Sequence, residues 1–161
     1  MAIDADEFRA AMGAWASGVT IITARAGDEI HGMTVSDFSG ASLDPPLAVV
    51  CASKTSHTTG VIQEGENFGV NVLRLEQDAL SNKFASKKDE WSRFEGLETF
   101  EEKTGAPLLK DALVNLDCRL IAVHDAGDHL LCVGQIEFAT VREGDPLLYV
   151  KGGYGRFEPK G

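Results

Sequence analysis

The last third of the chain has the clearest alternation of apolar and polar positions. Residues 113–124 and 129–141 are rich in β-branched and other apolar side chains, and residues 125–128 between them are short and polar. Such a pattern predicts two long antiparallel strands joined by a tight turn. A further turn at 144–146 leads to a third predicted strand at 147–151.

Shorter apolar runs in the first half predict four more strands. They are expected at 19–24, in the segment leading into His31, at 47–52 and at 68–73, with the first two paired across the Gly27–Asp28 turn. Many strands joined by hairpins, with few helices, are typical of a mainly β fold closed into an antiparallel barrel. A length of 161 residues fits one domain spanning 1–161.

Helical spacing appears in three places. Asp4 is expected to cap a helix from Ala5 to about Ser17–Gly18, with Phe8, Met12 and Trp15 forming one apolar stripe. A short helix capped by Ser56 or Thr58 should end at Gly65, and a third is predicted over 75–85. The charged segment 86–102 is expected to be a long, partly ordered loop with short strands.

Charge and composition exclude several classes of partner. The formal net charge of −10 repels nucleic acid and anionic membranes, so neither is expected as a partner. No apolar run approaches the roughly 18 residues of a membrane span, and no signal peptide opens the chain, which predicts a cytoplasmic location. Cys51, Cys118 and Cys132 lack CxxC spacing and are expected to be reduced core thiols, and no metal site is expected.

Two clusters of small hydroxyl residues flank one apolar strand between His31 and Thr59. The first cluster precedes the Asp44-Pro45-Pro46 turn, and the second begins at Ser53. These clusters are either ordinary surface loops or two sets of hydrogen-bonding groups for one elongated ligand, one meeting a polar ring system and the other a phosphate. Composition alone leaves both interpretations open.

Four segments in order resemble a known family over almost the whole chain. They are FRAAMGAWASGVTIITA, GMTVSDFSGASLDPPL, FGVNVLRLEQDALSNKFA, and AGDHLLCVGQIEFATV followed by PLLYVKGGYGRF. Together they resemble the flavin reductase-like proteins, which are NAD(P)H:flavin oxidoreductases supplying reduced flavin to two-component monooxygenases. The resemblance implies a six-stranded Greek-key split barrel and a homodimer with FMN or FAD at its interface. It also implies NADH or NADPH as hydride donor, and a monooxygenase partner reached by diffusion of the flavin.

The resemblance also implies a set of cofactor-binding residues. The loop along the isoalloxazine edge corresponds to Thr34, Val35, Ser36, Asp37, Phe38 and Ser39, and the segment at the flavin phosphate to Ser53, Lys54, Ser56, His57 and Thr58. Cys51 and Ala52, directly before that segment, are also expected to bind the cofactor. Phe84 and Ala85 correspond to the segment that closes over the flavin, and Tyr154 lies in a tail that could reach the site. Because an inward carboxylate would disfavour an electron-rich reduced flavin, Asp37 is expected to serve through its backbone.

His129 is the one histidine to which the resemblance assigns a catalytic position. A lone histidine after a hairpin turn is most often a surface residue, but the Gly127-Asp128-His129 match implies a place beside the nicotinamide. There, the imidazole would hold the carboxamide and Asp128 would fix its tautomer. His31 and His124 belong to no such motif and are expected to be structural.

Two other functions share this barrel. One is a flavin-binding carrier or sensor that does not reduce free flavin, which the intact Gly127-Asp128-His129 turn disfavours. The other is a pyridoxamine-phosphate oxidase type of enzyme, which the SLDPPL and GDH turns disfavour. A Rossmann dehydrogenase is disfavoured because no GxGxxG follows a strand. Since the flavin is the redox group, no acid–base pair is expected from the protein.

Overall fold

The computed structural model describes residues 2–161 and is dominated by strands. The helices are α1 (Ala5–Gly13), α2 (His57–Gly65) and α3 (Asp78–Ala85), with a 3-10 turn at Glu90–Ser92. The strands are β1 (Ser17–Gly18), β2 (Thr20–Ala26), β3 (Glu29–Val35), β4 (Phe38–Ser42), β5 (Leu47–Ser53), β6 (Asn67–Val72), β7 (Thr99–Phe100), β8 (Leu108–Leu109), β9 (Val114–Ala126), β10 (His129–Val141), β11 (Leu148–Val150) and β12 (Gly153–Gly155).

The main sheet curls because its two edge strands are neighbours in sequence. Its strand order is β3-β2-β6-β9-β10-β5-β4, and every pairing in it is antiparallel. Only Ser36 and Asp37 separate the edge strands β3 and β4, so the two edges must approach each other. The Cys51 N–H donates to the Asp37 carbonyl over 2.9 Å and ties this junction to β5. The prediction of a mainly β, barrel-like fold is confirmed.

The prediction of six strands in this sheet is wrong, because it has seven. The extra strand is β4, whose Phe-Ser-Gly-Ala-Ser sequence has the composition of a loop rich in small residues. It pairs with β5 from Phe38 opposite Val50 to Ser42 opposite Leu47. Small residues are poor strand formers on their own, but pairing with a strongly apolar neighbour overrides that preference.

The third strand predicted at 147–151 forms, but it does not continue the β9–β10 hairpin. It is the short strand β11, which joins β1 and β12 in a separate three-stranded sheet. By contrast, β10 has the predicted bounds, and β9 starts one residue later than predicted and ends two residues later.

The barrel interior is filled by side chains and leaves little room for a ligand. Val61 and Ile62 of α2 pack into a buried cluster with strand residues such as Phe68. A Cβ added at Gly134 would lie 2.5 Å from the Phe68 ring, so β10 approaches this ring as closely as a glycine allows. Because the interior is close-packed, a ligand must bind outside it.

Helix α1 is shorter and more exposed than the apolar stripe suggests. Asp4 caps it as predicted, with its carboxylate accepting from the backbone N–H groups of Asp6 and Glu7. The helix ends at Gly13 rather than near Ser17–Gly18, since those two residues pair with β11. The stripe of Phe8, Met12 and Trp15 is exposed, because no other part of the described chain covers it.

The remaining connections follow the predictions more closely. Helix α2 ends at Gly65 as expected, while α3 begins at Asp78 rather than at residue 75. Within 86–102 the chain forms the 3-10 turn and the two-residue strand β7. Among residues 2–161, no helix is both long enough and apolar enough to cross a bilayer.

Candidate functional site

The largest cavity lies where β3 and β5 end and α2 begins. Its volume is about 550 Å³. The lining residues include hydroxyl, aromatic and charged side chains: Met33, Thr34, Ser53, Thr55, Ser56, His57, Phe84, Ala85, Lys87, Glu90 and Arg93. Six of the cofactor residues proposed from sequence therefore meet here: Thr34, Ser53, Ser56, His57, Phe84 and Ala85.

A second cavity adjoins the first and shares Thr34 and Ala85 with it. Its volume is about 340 Å³, and Ser36 and Tyr154 also line it. Tyr154 is held in place by two hydrogen bonds of its hydroxyl, which donates to Asn82 Oδ1 over 2.9 Å and shares a 2.8 Å bond with Ser81 Oγ. The two cavities form a path for an elongated ligand, with Thr34 and Ala85 at its middle.

Strand alternation decides which proposed residues face this path. Successive side chains of a strand point to opposite faces, so Thr34 and Ser53 line the cavity while Val35 and Ala52 belong to the buried core. Thr34 Oγ1 donates to the Ser81 carbonyl over 2.6 Å, which joins β3 to α3. Val35 and Ala52 can therefore shape the site through their backbone, but not through their side chains.

Arg93 is a buried cation whose guanidinium is incompletely paired. The residue is 5% exposed, and its NH1 donates to the Gly32 carbonyl over 2.7 Å while NH2 donates to the Ser86 carbonyl. Its Nε has no hydrogen-bond partner within residues 2–161. Burial lowers the pKa of Arg93 from its usual value, and Glu90 partly opposes this effect. A guanidinium nevertheless stays charged in proteins, so this one favours an anion in the cavity.

The start of α2 adds neutral donors to the same wall. Ser56 is the N-cap residue, but its side chain makes no capping bond, and its hydroxyl contacts the Met33 sulfur at 3.1 Å instead. The first N–H groups of a helix lack partners within the helix and favour negative charge nearby. Together with Ser53 and Thr55, this helix start can bind phosphate oxygens.

His31 on β3 supports the first turn of α2 through a hydrogen bond. It is buried, and its Nδ1 shares a 2.7 Å hydrogen bond with Thr58 Oγ1, whose residue is also buried. Its Nε2 has no partner within the described residues. The burial of His31 lowers its pKa from 6.5, and the charges of His57 and Arg93 lower it further. His31 is thus structural, as expected from sequence, but it supports the wall of the site.

Phe84 reaches the cavity through a close approach to β3. A Cβ added at Gly32 would lie 2.9 Å from the Phe84 ring, so glycine is needed for α3 to pack this near. Phe84 is 1% exposed and has a T-shaped contact with Phe94 at 5.3 Å between centroids. The neighbouring Ala85 is thereby fixed at the junction of the two cavities.

Lys54 occupies a different position from the one proposed for it. Its ammonium donates to Asp125 Oδ2 over 2.5 Å and to the Gly127 carbonyl over 2.6 Å, and it does not line the cavity. Its backbone N–H also donates to the Asp128 carbonyl over 3.1 Å. Hydrogen bonding to Lys54 lowers the pKa of Asp125. Lys54 therefore fastens the β9–β10 hairpin to the end of β5.

This hairpin carries the proposed nicotinamide-side residues. His129 pairs with Ser53 across β10 and β5, which places the hairpin beside the strand end that lines the cavity. Asp128 Oδ1 lies 2.7 Å from His129 Nδ1, as proposed for a carboxylate that fixes the ring. The hydrogen bond to His129 also lowers the pKa of Asp128. Both side chains lie outside the two cavities, on the exposed tip.

The other proposed ring-edge residues lie along the junction of β3, β4 and β5. Asp37 serves this junction through its backbone carbonyl, and Phe38 packs against the buried core. Ser39 is exposed on β4, while Cys51 is half-buried with a pKa raised by burial. None of these four lines either cavity. All three cysteines are free thiols, as predicted.

Sequence reasoning missed the charged part of the cavity. Arg93, Lys87 and Glu90 lie in a polar segment whose composition resembles a solvated loop. The only sequence signal was the regular interspersion of Trp91, Phe94 and other aromatic residues in that segment. Such residues anchor a loop to the protein and so bring its charges inward.

Comparison with known proteins identifies the family. The site described above defines a β-barrel protein with a cavity suited to an elongated, anionic ligand. A family model described as "Flavin reductase like domain" matches residues 12–158, so the chain belongs to this family of oxidoreductases. The resemblance drawn from four sequence segments is thereby confirmed.

Three similar proteins have informative names. The chain is 39% identical over 150 residues to the FMN reductase (NADH) SmoA of Agrobacterium fabrum, covering 93% of this chain and 84% of that protein. It is 37% identical over 159 residues to HsaB of Rhodococcus jostii, the reductase subunit of a flavin-dependent monooxygenase, covering 98% and 80%. Among solved structures, the NADH:FAD oxidoreductase SgcE6 of Streptomyces globisporus, in complex with NAD and FAD fragments, superposes with a TM-score of 0.89 at 29% identity, covering 99% and 98%.

Proposed function

We propose that this protein reduces FMN or FAD with NADH or NADPH. The observation that supports it most is the cavity that Arg93 lines together with Ser53, Thr55 and Ser56, because Arg93 is a buried cation whose guanidinium is incompletely paired within the described residues. A cation, hydroxyls and a helix start together match the chemistry of a flavin phosphate. The proposed redox reaction follows that of a similar protein, which is named an FMN reductase (NADH). The proposed class of cofactor follows from membership of the flavin reductase-like family.

The protein's own contribution is binding and orientation. Ser53, Ser56, Lys87 and Arg93 would hold the phosphate end, while Thr34 and Ala85 lie where the ring system would begin. Flavin, when bound, would supply the hydride-accepting chemistry, and the protein's task would be to bring the flavin and nicotinamide rings into contact. His129, its ring fixed by Asp128, would hold the nicotinamide carboxamide at the hairpin side of the site.

Steady-state oxidation of NADH and NADPH, each with FMN and with FAD, tests the activity. Turnover with any pair at a rate well above the flavin-free rate supports a reductase. Tight flavin binding without such turnover would instead identify a carrier or sensor. The same four assays determine which nicotinamide and which flavin the enzyme prefers.

A homodimer is part of this proposal. Phe8 and Met12 of α1 are 56% and 54% exposed, and Phe157 near the end of the chain is 67% exposed. Exposed apolar groups of this kind are typical of surfaces that another protein covers. We expect light scattering at micromolar concentration to give a dimer. A fully active monomer would contradict this expectation.

The proposal also includes a partner and a location. HsaB is named as a monooxygenase subunit, so we propose that this chain supplies reduced flavin to a separate flavin-dependent monooxygenase by diffusion. Its net charge of −10 supports the expectation that it binds neither nucleic acid nor anionic membrane. Three free thiols fit a reducing compartment, which supports a cytoplasmic location.

Replacing Lys54 with methionine should impair the nicotinamide step more than flavin binding. The ammonium contacts the hairpin that carries His129, and its loss would free that hairpin from β5. We expect the KM for NADH to rise by about threefold to fivefold, which matches the contribution of a partly exposed ammonium that makes two hydrogen bonds. Flavin affinity should change by less than about twofold. Lys87→Met is the matched comparison, because Lys87 does line the cavity and should act on flavin affinity.

Protonation of His31 should destabilise the fold at acidic pH. The pKa of His31 is below 6.5 in the folded state, so the unfolded chain takes up its proton first as the pH falls. The free energy of unfolding should therefore be highest above pH 6.5 and fall below it, by at most about 1.4 kcal/mol per pH unit for one proton. Urea unfolding on both sides of this pH measures the change, and His31→Asn should reduce it. If the free energy of unfolding of His31→Asn falls as steeply with pH as that of the wild type, other groups cause the acid sensitivity.

A further inference from the structure

Trp91 is a large aromatic residue exposed at the edge of the cavity. It is 69% exposed, although a tryptophan side chain is usually well buried. It belongs to the 3-10 turn Glu90–Ser92, and both Glu90 and the nearby Arg93 line the cavity. An exposed indole beside a cavity lined by polar and charged residues is therefore a candidate contact for a bound ligand.

Two histidines hold the indole of Trp91 in a fixed orientation. Its ring centroid lies 4.8 Å from that of His57 at an interplanar angle of 65°, and 5.2 Å from that of His31 at 69°. His57 is itself fixed, because its Nε2 lies 2.5 Å from Glu29 Oε1. Edge-to-face contacts of this kind support an aromatic ring without covering both of its faces. The indole is therefore an ordered platform with open surface.

The position of this platform relates it to the phosphate end of the site. His57 is the first residue of α2, follows the N-cap residue Ser56 and lines the cavity, and Trp91 packs against His57. A ligand whose phosphate lies at the start of α2 would therefore meet Trp91 with a group that continues beyond that phosphate. FMN ends there, whereas FAD continues into a second phosphate, a ribose and an adenine.

We propose that Trp91 stacks against the adenine of FAD and makes this enzyme prefer FAD to FMN. The inference rests on the proposed flavin reductase function. Stacking of a base on an aromatic side chain strengthens binding by roughly fivefold to 150-fold in nucleic-acid complexes, which is enough to set such a preference. Glu90, which also lines the cavity, offers a carboxylate that can accept hydrogen bonds from ribose hydroxyls.

An adenine is also present in NADH and NADPH, so the source must be distinguished. The flavin is favoured because Trp91 adjoins the cavity that holds the phosphate-binding groups. The proposed nicotinamide residue, His129, lies instead on the β9–β10 hairpin outside that cavity. Measuring flavin affinity and NADH kinetics separately in the same variant distinguishes the two sources.

The test compares FAD and FMN dissociation constants in the full-length protein and in Trp91→Ala. We expect the wild type to bind FAD more tightly, and the variant to lose about tenfold in FAD affinity while its FMN affinity changes by less than about twofold. Trp91→Phe keeps an aromatic ring and should retain most of the preference. Adenosine diphosphate should compete with FAD in the wild type and lose affinity in Trp91→Ala by a similar factor.

Leu43→Ala is the control for removing an exposed apolar side chain, since Leu43 is 92% exposed on a distant turn. It should leave both flavin affinities unchanged. Equal losses for FMN and FAD in Trp91→Ala would overturn the proposal, because they indicate a general structural role. An unchanged FAD affinity, a raised KM for NADH with FMN as acceptor, or a change in oligomeric state would overturn it as well. A wild type that binds neither flavin would overturn the reductase function itself.

Discussion

Replacing Arg93 with methionine is expected to weaken FMN binding by about one hundredfold while changing riboflavin binding by less than about threefold. The two ligands differ only in the phosphate, which is the group that a buried guanidinium would neutralise. Hydrogen bonds to charged groups contribute about 1.5 to 3 kcal/mol each, and one hundredfold corresponds to about 2.7 kcal/mol. Arg93 is 5% exposed, so solvent screens this interaction very little.

The riboflavin measurement keeps this prediction testable if Arg93→Met is also less stable. The substitution leaves the carbonyls of Gly32 and Ser86 without their guanidinium donor, and a general loosening of the site should weaken both ligands alike. Arg119→Met is the matched control, because Arg119 is exposed and pairs with Glu137 away from the cavity. Equal losses for FMN and riboflavin would remove Arg93 from the phosphate site.

Replacing His129 with alanine is expected to slow the nicotinamide half-reaction by about tenfold, equivalent to roughly 1.4 kcal/mol. The imidazole lies on the tip of the β9–β10 hairpin, with Asp128 Oδ1 at 2.7 Å from its Nδ1. Its other nitrogen is left to hold the carboxamide. Flavin affinity should change little, because His129 does not line the cavity that holds the phosphate-binding groups.

Stopped-flow reduction of flavin-loaded protein by NADH, together with a flavin titration, measures the two effects separately. Reoxidation of the reduced flavin by oxygen should be unchanged, since that step does not involve the nicotinamide. His124→Ala is the matched control on the same hairpin, because His124 is exposed on β9 and has no proposed role. Normal reduction kinetics with damaged flavin affinity would place His129 on the opposite side of the site.

The fold was predictable wherever side-chain alternation was strong. Strands β9 and β10 have long apolar patterns, and the bounds of β10 were predicted to the residue. Strand β4 was missed because its Ser and Gly residues carry no such pattern and it forms by pairing with β5. The length of α1 was overestimated because helical spacing continues past Gly13, where pairing of Ser17 with Tyr149 takes over.

The site was predictable where a short sequence motif indicates both which residue is involved and which way its side chain points. Thr34, Ser53 and Ser56, which the resemblance implies as cofactor-binding residues, line the cavity. The resemblance placed Lys54 at the flavin phosphate as well, but a match between segments does not tell which acceptor a long side chain will reach. Arg93 was missed for a related reason, since its burial depends on aromatic contacts between segments distant in sequence. The assignment of these residues to the flavin remains a prediction.

The sheet order has a consequence for how the chain folds. Hairpins β2–β3 and β9–β10 join neighbours in sequence and can form within microseconds. Pairing of β5 with β10 joins distant parts of the chain, and such non-local contacts slow folding toward the millisecond-to-second range. The cavity depends on this pairing, because it positions Ser53 beside the hairpin of His129. We therefore expect the ability to bind flavin to appear in the last, slow phase of refolding.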